Sequence, residues 1–227
     1  GMDGVAEHVK IMVVRVVPDG DERDKDVANG IRYAVDNGAK IINMSFGKSY
    51  SPNKAAVDAA VKYAESKGVL IIHAAGNDNS NNDETPDYPN AKLSDGSVAS
   101  NWIEVGATNP SGTAAAFSNY GKATVDLFAP GVEIYSCLPE NKYGNESGTS
   151  MACPVVTGVT ALVWSYFPYL TVTQIREAII NSVDVDNSTT PLPGKSKKIV
   201  PFNSLSKTGG RINAARAVEN ASKMTIN

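Results

Sequence analysis

One serine lies where a glycine-containing turn meets a long apolar segment, in the run Gly148-Thr149-Ser150-Met151-Ala152-Cys153-Pro154. Gly148 allows tight turning, a helix start presents unpaired N–H groups, and Pro154 is tolerated if it falls in a first helical turn. A serine there can direct its Oγ at a carbonyl carbon while its backbone N–H binds the developing oxyanion. The alternative is that Ser150 simply caps the helix, because serine is a common N-cap residue.

Asn77 is a second candidate for the same chemistry, in the run Ala74-Ala75-Gly76-Asn77, where an apolar strand enters a polar loop. An amide donor there can point across the end of a sheet toward an oxyanion. The small residues Ala75 and Gly76 leave room for a side-chain pocket. The alternative is an ordinary turn asparagine after a glycine.

A serine nucleophile needs a base, and the chain contains two histidines. His8 precedes the first apolar segment and is predicted to have a surface or edge role. His73 lies within the apolar run 69–75 and is predicted to be a satisfied core histidine. We expect neither to reach Ser150, so the hydroxyl would remain a weak nucleophile at neutral pH.

The acidic residues and the cysteines suggest no further chemistry. Asp126 is predicted to be structural, and four other acids are interpreted as solvated loop charges without metal-ligand spacing: Asp21, Asp24, Asp78 and Asp83. Cys137 and Cys153 are predicted to be free thiols that behave as small core residues. No metal site is predicted.

The elements that must position these residues alternate between strand and helix patterns. The apolar segments Val9–Val17, Lys40–Ser45 and Val69–Ala75 are predicted to be strands, separated by two amphipathic helices, and this order favours a parallel sheet covered by helices. The first helix has Gly38 as its C-terminal cap, and the second begins at Ser51 and Pro52. Later strands are predicted at 102–107 and 124–128, helices at 151–167, 171–182 and 213–222, and loops at 76–98 and 183–210.

Length and composition set limits on function. A chain of 227 residues can bury one substantial core, which predicts a single domain over residues 1–227. The net charge of -3 is scattered, apart from a small basic cluster at 195–198, so no nucleic-acid surface is predicted. The longest apolar runs are shorter than the roughly 20 residues of a membrane span. No signal sequence is recognisable at the start, and we expect any targeting segment to lie upstream or to be absent.

The chain resembles the subtilisin-like serine peptidases, or subtilases, across nearly its whole length. The segments that carry the resemblance occur in the family's order: Gly4-Val5-Ala6, Asn43-Met44-Ser45-Phe46-Gly47, His73 to Asn77, Tyr88-Pro89, Val105-Gly106-Ala107, Ala129-Pro130-Gly131, Gly148 to Pro154 and Gly210-Arg211-Ile212-Asn213. The combination of Ala74 to Asn77 with Gly148 to Ala152 is highly specific.

The resemblance implies an α/β three-layer fold with a mostly parallel sheet covered by helices on both faces. It implies a serine endopeptidase that forms an acyl-enzyme on Ser150, with Asn77 as the side-chain donor of the oxyanion hole. It further implies that Ser45, Phe46 and Gly47 form the strand edge along which an extended peptide or protein substrate pairs, with Ala75 and Gly76 flooring the specificity pocket. No cofactor is required. Structural calcium is frequent in the family, although no motif here fixes a site. The resemblance further implies a protein that is secreted or in the cell envelope.

The chain departs from the family where the catalytic triad is concerned. The triad follows the chain order Asp, His, Ser, and the segments that carry the Asp and the His precede the first residue of this sequence. We therefore predict a sheet without the N-terminal strands, in which Val9–Val17 and Lys40–Ser45 close up and pair directly. The chain alone is predicted to be nearly inactive. The alternative is a non-catalytic peptide-binding or scaffold relative that kept the cleft.

Overall fold

The computed structural model describes residues 2–225 of the chain. Within this range the helices are α1 (Asp24–Asp36), α2 (Lys54–Ser66), α3 (Thr149–Tyr166), α4 (Val172–Ile180) and α5 (Ala214–Ser222), with a 3-10 turn at Phe202–Ser204. The strands are β1 (Ile41–Met44), β2 (Leu70–Ala74), β3 (Trp102–Thr108), β4 (Leu127–Pro130), β5 (Ile134–Leu138), β6 (Lys142–Glu146), β7 (Asp184–Val185), β8 (Thr189–Leu192), β9 (Lys195–Pro201) and β10 (Gly210–Arg211).

A central sheet has the strand order β1-β2-β3-β4-β10-β7. Strands β1 to β4 and β10 run parallel, and only the short edge strand β7 is antiparallel within this sheet. The prediction of a mostly parallel sheet is therefore confirmed. Because the parallel strands point the same way, the segments that follow β1 and β2 begin at one edge of the sheet, and the candidate residues after Met44 and Ala74 meet there.

Helices cover both faces of the sheet, which makes three layers. Strand β2 is buried on both sides because successive side chains point to opposite faces. Leu70 and Ile72 pack in the cluster that contains the α3 residue Val156. Ile71 packs in a second cluster with Val57 of α2 and residues of α1. The apolar helix α3 thus packs one side on the sheet. None of the helices in residues 2–225 has the length and apolar character that crossing a membrane requires.

The segment Val9–Val17 is not a strand, and this prediction was wrong. It runs unpaired along the surface, with Ile11 84% and Val13 87% exposed. Val16, near its C-terminal end, packs directly on Gly30 of α1. Upstream of the segment, Val5 packs on α3, where a Cβ on Gly158 would lie 2.7 Å from the Cβ of Val5. Apolar, β-branched composition indicates a strand, but a strand also needs a neighbour that offers hydrogen bonds.

The predicted direct pairing of Val9–Val17 with Lys40–Ser45 is also wrong, because a gap separates the two segments. Strand β1 is an edge strand whose one sheet neighbour is β2. A cavity of about 1160 Å³ lies between β1 and the N-terminal segment. Its apolar lining comes from four elements besides the N-terminal segment, and includes Ile31 and Ala34 of α1, Ile41, Ile42 and Met44 of β1, Ala161 and Trp164 of α3, and Val172 of α4.

Several smaller predictions need correction. Residues 183–210, predicted as loop-like, contain β7 to β10, and the hairpin of β5 and β6 was not predicted. Helix α2 begins at Lys54 after Asn53, beyond the predicted start at Ser51. Cys137 is exposed on the hairpin of β5 and β6 instead of lying in the core, as had been predicted. The capping box of Thr171 and Gln174 at the start of α4 is confirmed.

Candidate active site

Ser150 lies in the first turn of α3, facing the segment that follows β1. Its Oγ donates to the carbonyl oxygen of Ser45 at 3.2 Å, and the Ser45 Oγ donates to the carbonyl oxygen of Ser150 at 3.0 Å. Pro154 explains the second contact. It is the sixth residue of α3, not a first-turn residue as predicted, and it has no N–H to give to the carbonyl four residues earlier. That carbonyl belongs to Ser150, and the Ser45 hydroxyl replaces the missing donor.

Asn77 follows β2 and is oriented by Thr149. Its Oδ1 accepts two hydrogen bonds from Thr149, one from the backbone N–H at 2.8 Å and one from the hydroxyl at 3.0 Å. Because both partners donate, this end of the amide must be the oxygen, and the Nδ2 donor points the other way. The Thr149 hydroxyl also accepts from the N–H of Gly76 at 3.2 Å, which ties the end of β2 to the start of α3.

The space in front of Gly148 is where two donors converge. A Cβ built on Gly148 would lie 3.6 Å from the backbone nitrogen of Ser150 and 3.7 Å from Asn77 Nδ2. Gly148 has φ 163°, an extended conformation open to any residue, so the tight turning predicted for it is not what the position requires. It requires an open space. The N–H at the second position of a helix has no intrahelical acceptor, so both nitrogens can donate to one oxygen there.

His73 is a core residue, as predicted, and does not contact Ser150. The ring is 0% exposed, with Nδ1 2.9 Å from Glu104 Oε1 and Nε2 2.8 Å from the carbonyl oxygen of Phe46. Burial opposes a positive charge on the ring, but the Glu104 carboxylate outweighs it and raises the pKa of His73. Both ring nitrogens face acceptors, which only the imidazolium can satisfy. His8 is exposed, in agreement with its prediction.

The segments after β1 and β2 lie beside the start of α3, where Ser45 contacts Ser150 and Gly76 contacts Thr149. Ser45 and Phe46 are half-buried and Gly47 is exposed, whereas Ala75 is fully buried and Gly76 half-buried. The Phe46 carbonyl points inward to His73 and is not available to a peptide. Of the five residues predicted to bind substrate, Ser45 contacts Ser150 directly, and the other four lie in the same two segments.

The sequence prediction missed Asp87, whose carboxylate lies between the two cleft glycines. A side chain on Gly47 would collide with Asp87 Oδ2, and a Cβ on Gly76 would lie 3.0 Å from the same oxygen. Burial raises the pKa of Asp87 to about 7, the positive charge of His73 opposes this shift, and the negative charge of Glu104 adds to it. The available signal was the position of Asp87 directly before Tyr88-Pro89, one of the segments that carry the family resemblance.

The remaining acidic and thiol groups have structural roles. Asp126 is buried and holds Arg176 at 3.2 Å and Lys207 at 3.0 Å, as predicted. Asp24 is not the solvated charge that was predicted, because it is buried in an ion pair of 2.7 Å with Lys48. Burial raises the pKa of the Cys153 thiol to about 12, so it stays protonated as a packing residue. Within residues 2–225, no group of three or more His, Cys, Asp or Glu side chains is arranged to hold a metal ion.

A serine at the start of a helix that packs on the sheet, opposite an asparagine that follows a neighbouring parallel strand, fits the serine peptidases of the three-layer α/β class. The family model described as "Subtilase family" matches residues 1–210. The chain therefore belongs to the subtilase family.

Individual relatives agree with this assignment. Thermitase of Thermoactinomyces vulgaris is 36% identical over 220 residues, which are 96% of this chain and 68% of that protein. Alkaline elastase YaB of Bacillus sp. strain YaB is 38% identical over 192 residues, which are 84% of this chain and 47% of that protein. Among solved structures, a protease of Pseudoalteromonas arctica has a TM-score of 0.77 at 28% identity, covering 96% of this chain and 65% of that one. The chain thus spans from about half to about two thirds of the length of these proteins.

Proposed function

We propose that Ser150 is the nucleophile of a serine endopeptidase that cleaves extended peptides or proteins through an acyl-enzyme. The observation that carries this proposal is the convergence of the Ser150 N–H and Asn77 Nδ2 on one open space in front of Gly148. When Ser150 Oγ attacks a peptide carbonyl, the carbonyl oxygen becomes negative, and two fixed donors stabilise that charge without having to reorganise.

The catalytic base is the part of the mechanism that residues 2–225 do not provide. The Ser150 hydroxyl donates to a backbone carbonyl, which cannot take its proton. We propose that the active protein includes an upstream segment with the aspartate and the histidine of the triad. The apolar gap of about 1160 Å³ beside the edge strand β1 supports this proposal, because β1 and α3 offer an unpaired edge and an apolar face there. No cofactor is required, and we expect the protein to be secreted or in the cell envelope.

With the base present, each step has an assigned group. The histidine takes the Ser150 proton and delivers it to the leaving amine, and the acyl group stays on Ser150 Oγ until water releases it. Ser45, Phe46 and Gly47 align the peptide as an added strand, and Ala75 and Gly76 floor the pocket for the side chain before the scissile bond. The 227-residue chain alone should show at most residual hydrolysis.

The test compares the full-length protein with the 227-residue chain, using a fluorophosphonate probe and hydrolysis of a fluorogenic peptide library. The full-length protein should react at Ser150 and cleave peptides, and the Ser150→Ala variant should do neither. Asn77→Ala should lower turnover by about a hundred- to a thousandfold, a magnitude taken from subtilisin itself. Rapid labelling of the 227-residue chain would contradict the assignment of the base to an upstream segment.

A non-catalytic peptide-binding or scaffold protein is the second candidate. The observation that favours it is the engagement of the Ser150 hydroxyl by Ser45, away from either histidine. This function predicts that the full-length protein binds extended peptides without cleaving them and stays unlabelled by the probe. Peptide cleavage that depends on Ser150 would exclude it.

A further inference from the structure

The two glycines of the proposed specificity pocket lie against a carboxylate. Gly47 follows β1, Gly76 follows β2, and Asp87 Oδ2 lies directly against both of them. A substrate side chain that enters between the two cleft walls therefore meets this oxygen. Because both neighbours are glycines, neither of them has a side chain that covers the carboxylate.

The carboxylate of Asp87 has no cation of its own. None of the ion pairs within residues 2–225 includes it, although ten other carboxylates there pair with Lys, Arg or His. Two basic side chains lie nearby, but Lys48 forms an ion pair with Asp24 and Lys54 forms one with Asp58. The charge of His73 is shared with Glu104 at 2.9 Å. A half-buried carboxylate with no counter-ion is stabilised electrostatically when a ligand supplies a cation.

We propose that Asp87 makes this pocket select a lysine or arginine side chain, on the residue before the scissile bond. An apolar side chain in the same place would remove water from the carboxylate without replacing its hydrogen bonds, and an acidic one would add repulsion. The inference rests on the proposed function for the position of the scissile bond, but the preference for a cation depends on the pocket alone.

The charge around Asp87 should make this selection depend on pH. The groups that face it are His73 on β2, Glu104 on β3 and Asp78 on its own loop. Burial and the two acids keep the pKa of Asp87 at about 7 despite His73. The carboxyl group is neutral below this value and charged above it, so preference for a cationic side chain should grow as pH rises from about 6 to about 8.

The experiment compares lysine with norleucine, which has the same chain length without the charge. Two arms use acetyl-Ala-Ala-Pro-Xaa peptides: hydrolysis of the anilides by the full-length protein, and binding of the amides to the 227-residue chain by calorimetry. Lysine should exceed norleucine by about tenfold or more in kcat/KM and in affinity, as a charge-assisted hydrogen bond allows. Asp87→Asn should abolish this ratio. Glu84→Gln, which removes an exposed acid of the same loop, should keep it.

Each outcome decides the proposal. The proposal is overturned if norleucine peptides are cleaved or bound as well as lysine peptides or better. It is also overturned if Asp87→Asn leaves the ratio of lysine to norleucine unchanged, or if alanine peptides are preferred because the carboxylate fills the pocket. If the binding arm shows the lysine preference while the hydrolysis arm shows no cleavage, the proposed peptidase function fails and the basic specificity stands. If peptides are cleaved without a lysine preference, the peptidase function stands and this inference fails.

Discussion

At the scale of single residues, Asp87 couples the cleft to the stability of the fold. Its pKa is about 7 in the folded protein and near 3.8 in an unfolded chain, so the folded state holds the proton more tightly. Such a group stabilises the fold fully below about pH 3.8, and its contribution is lost as pH rises through about 7. The charged carboxylate thus destabilises the folded state at neutral pH, which is consistent with a binding role and not with a structural one.

The first prediction is that Asp87→Asn changes how stability depends on pH. Relative to the unsubstituted chain, the variant should gain about 4 kcal/mol in free energy of unfolding between pH 4 and pH 8, because it has no buried charge to form and the rise in the Asp87 pKa from 3.8 to about 7 costs about 1.4 kcal/mol per pH unit. Urea unfolding at a series of pH values measures this difference. Glu84→Gln is the control and should show no such trend. Parallel stability profiles for Asp87→Asn and the unsubstituted chain would show that the carboxyl group is not perturbed by burial.

The second prediction concerns Thr149, which positions Asn77 without touching the substrate. Thr149→Val removes the hydroxyl that bridges Gly76 and Asn77 but keeps the shape of the side chain. In the full-length protein, kcat should fall by about tenfold with KM little changed, because the Asn77 donor acts on the transition state. Thr149→Ser should restore kcat. A rise in KM at constant kcat would instead place Thr149 in substrate binding.

At the scale of elements, the link between β1 and α3 explains how Ser150 is held. Pro154 leaves the Ser150 carbonyl without its helical donor, and the Ser45 hydroxyl takes that place at 3.0 Å. A proline in the second turn of a helix is normally costly, but here its cost is offset by a contact that fixes the helix start against the end of a strand. The position of Ser150 therefore depends on two elements that are 105 residues apart in the chain.

The third prediction tests this link with a double-mutant cycle. Ser45→Ala should lower the free energy of unfolding by about 1 to 2 kcal/mol, because a partly buried carbonyl loses its donor. In a Pro154→Ala background the helix supplies an N–H to the same carbonyl, so Ser45→Ala should cost about 1 kcal/mol less. The contact from Asn43 to Ser45 is lost equally in both backgrounds and cancels. Equal costs measured by urea unfolding would show that Pro154 and Ser45 are independent.

The sequence predicted elements well where local pattern and tertiary pairing agree. The two-sided apolar run 69–75 became β2, and the capping residues of α4 were identified from their spacing. The strands β7 and β10 have two residues each and no pattern of their own, since they exist only by pairing with neighbours. Ser150 and Asn77 lie in motifs, whereas Asp87 lies in a loop whose path is set by tertiary contacts that no local rule predicts.

At the scale of the whole molecule, the open side of the sheet is the feature that separates this chain from a complete cleft. The edge strand β1 has one partner, the apolar segment Val9–Val17 is unpaired, and a cavity of about 1160 Å³ lies between them. Exposed apolar surface beside an unpaired edge is normally covered in native proteins. An upstream segment that supplies strands and the catalytic base would cover this surface and complete the site together.

The fourth prediction follows from that coverage. In the 227-residue chain, limited proteolysis should cut first within Val9–Val17, because an exposed segment without a hydrogen-bonding partner opens at little cost. In the Ser150→Ala variant of the full-length protein, which cannot digest itself, the same segment should resist cleavage at least about tenfold longer. The exposed turn 83–86 is the internal control, since the upstream segment is not expected to cover it, and mass spectrometry identifies the sites. Equal rates of cleavage within Val9–Val17 in both proteins would show that the upstream segment leaves the gap open, and the base would then have to reach Ser150 from elsewhere.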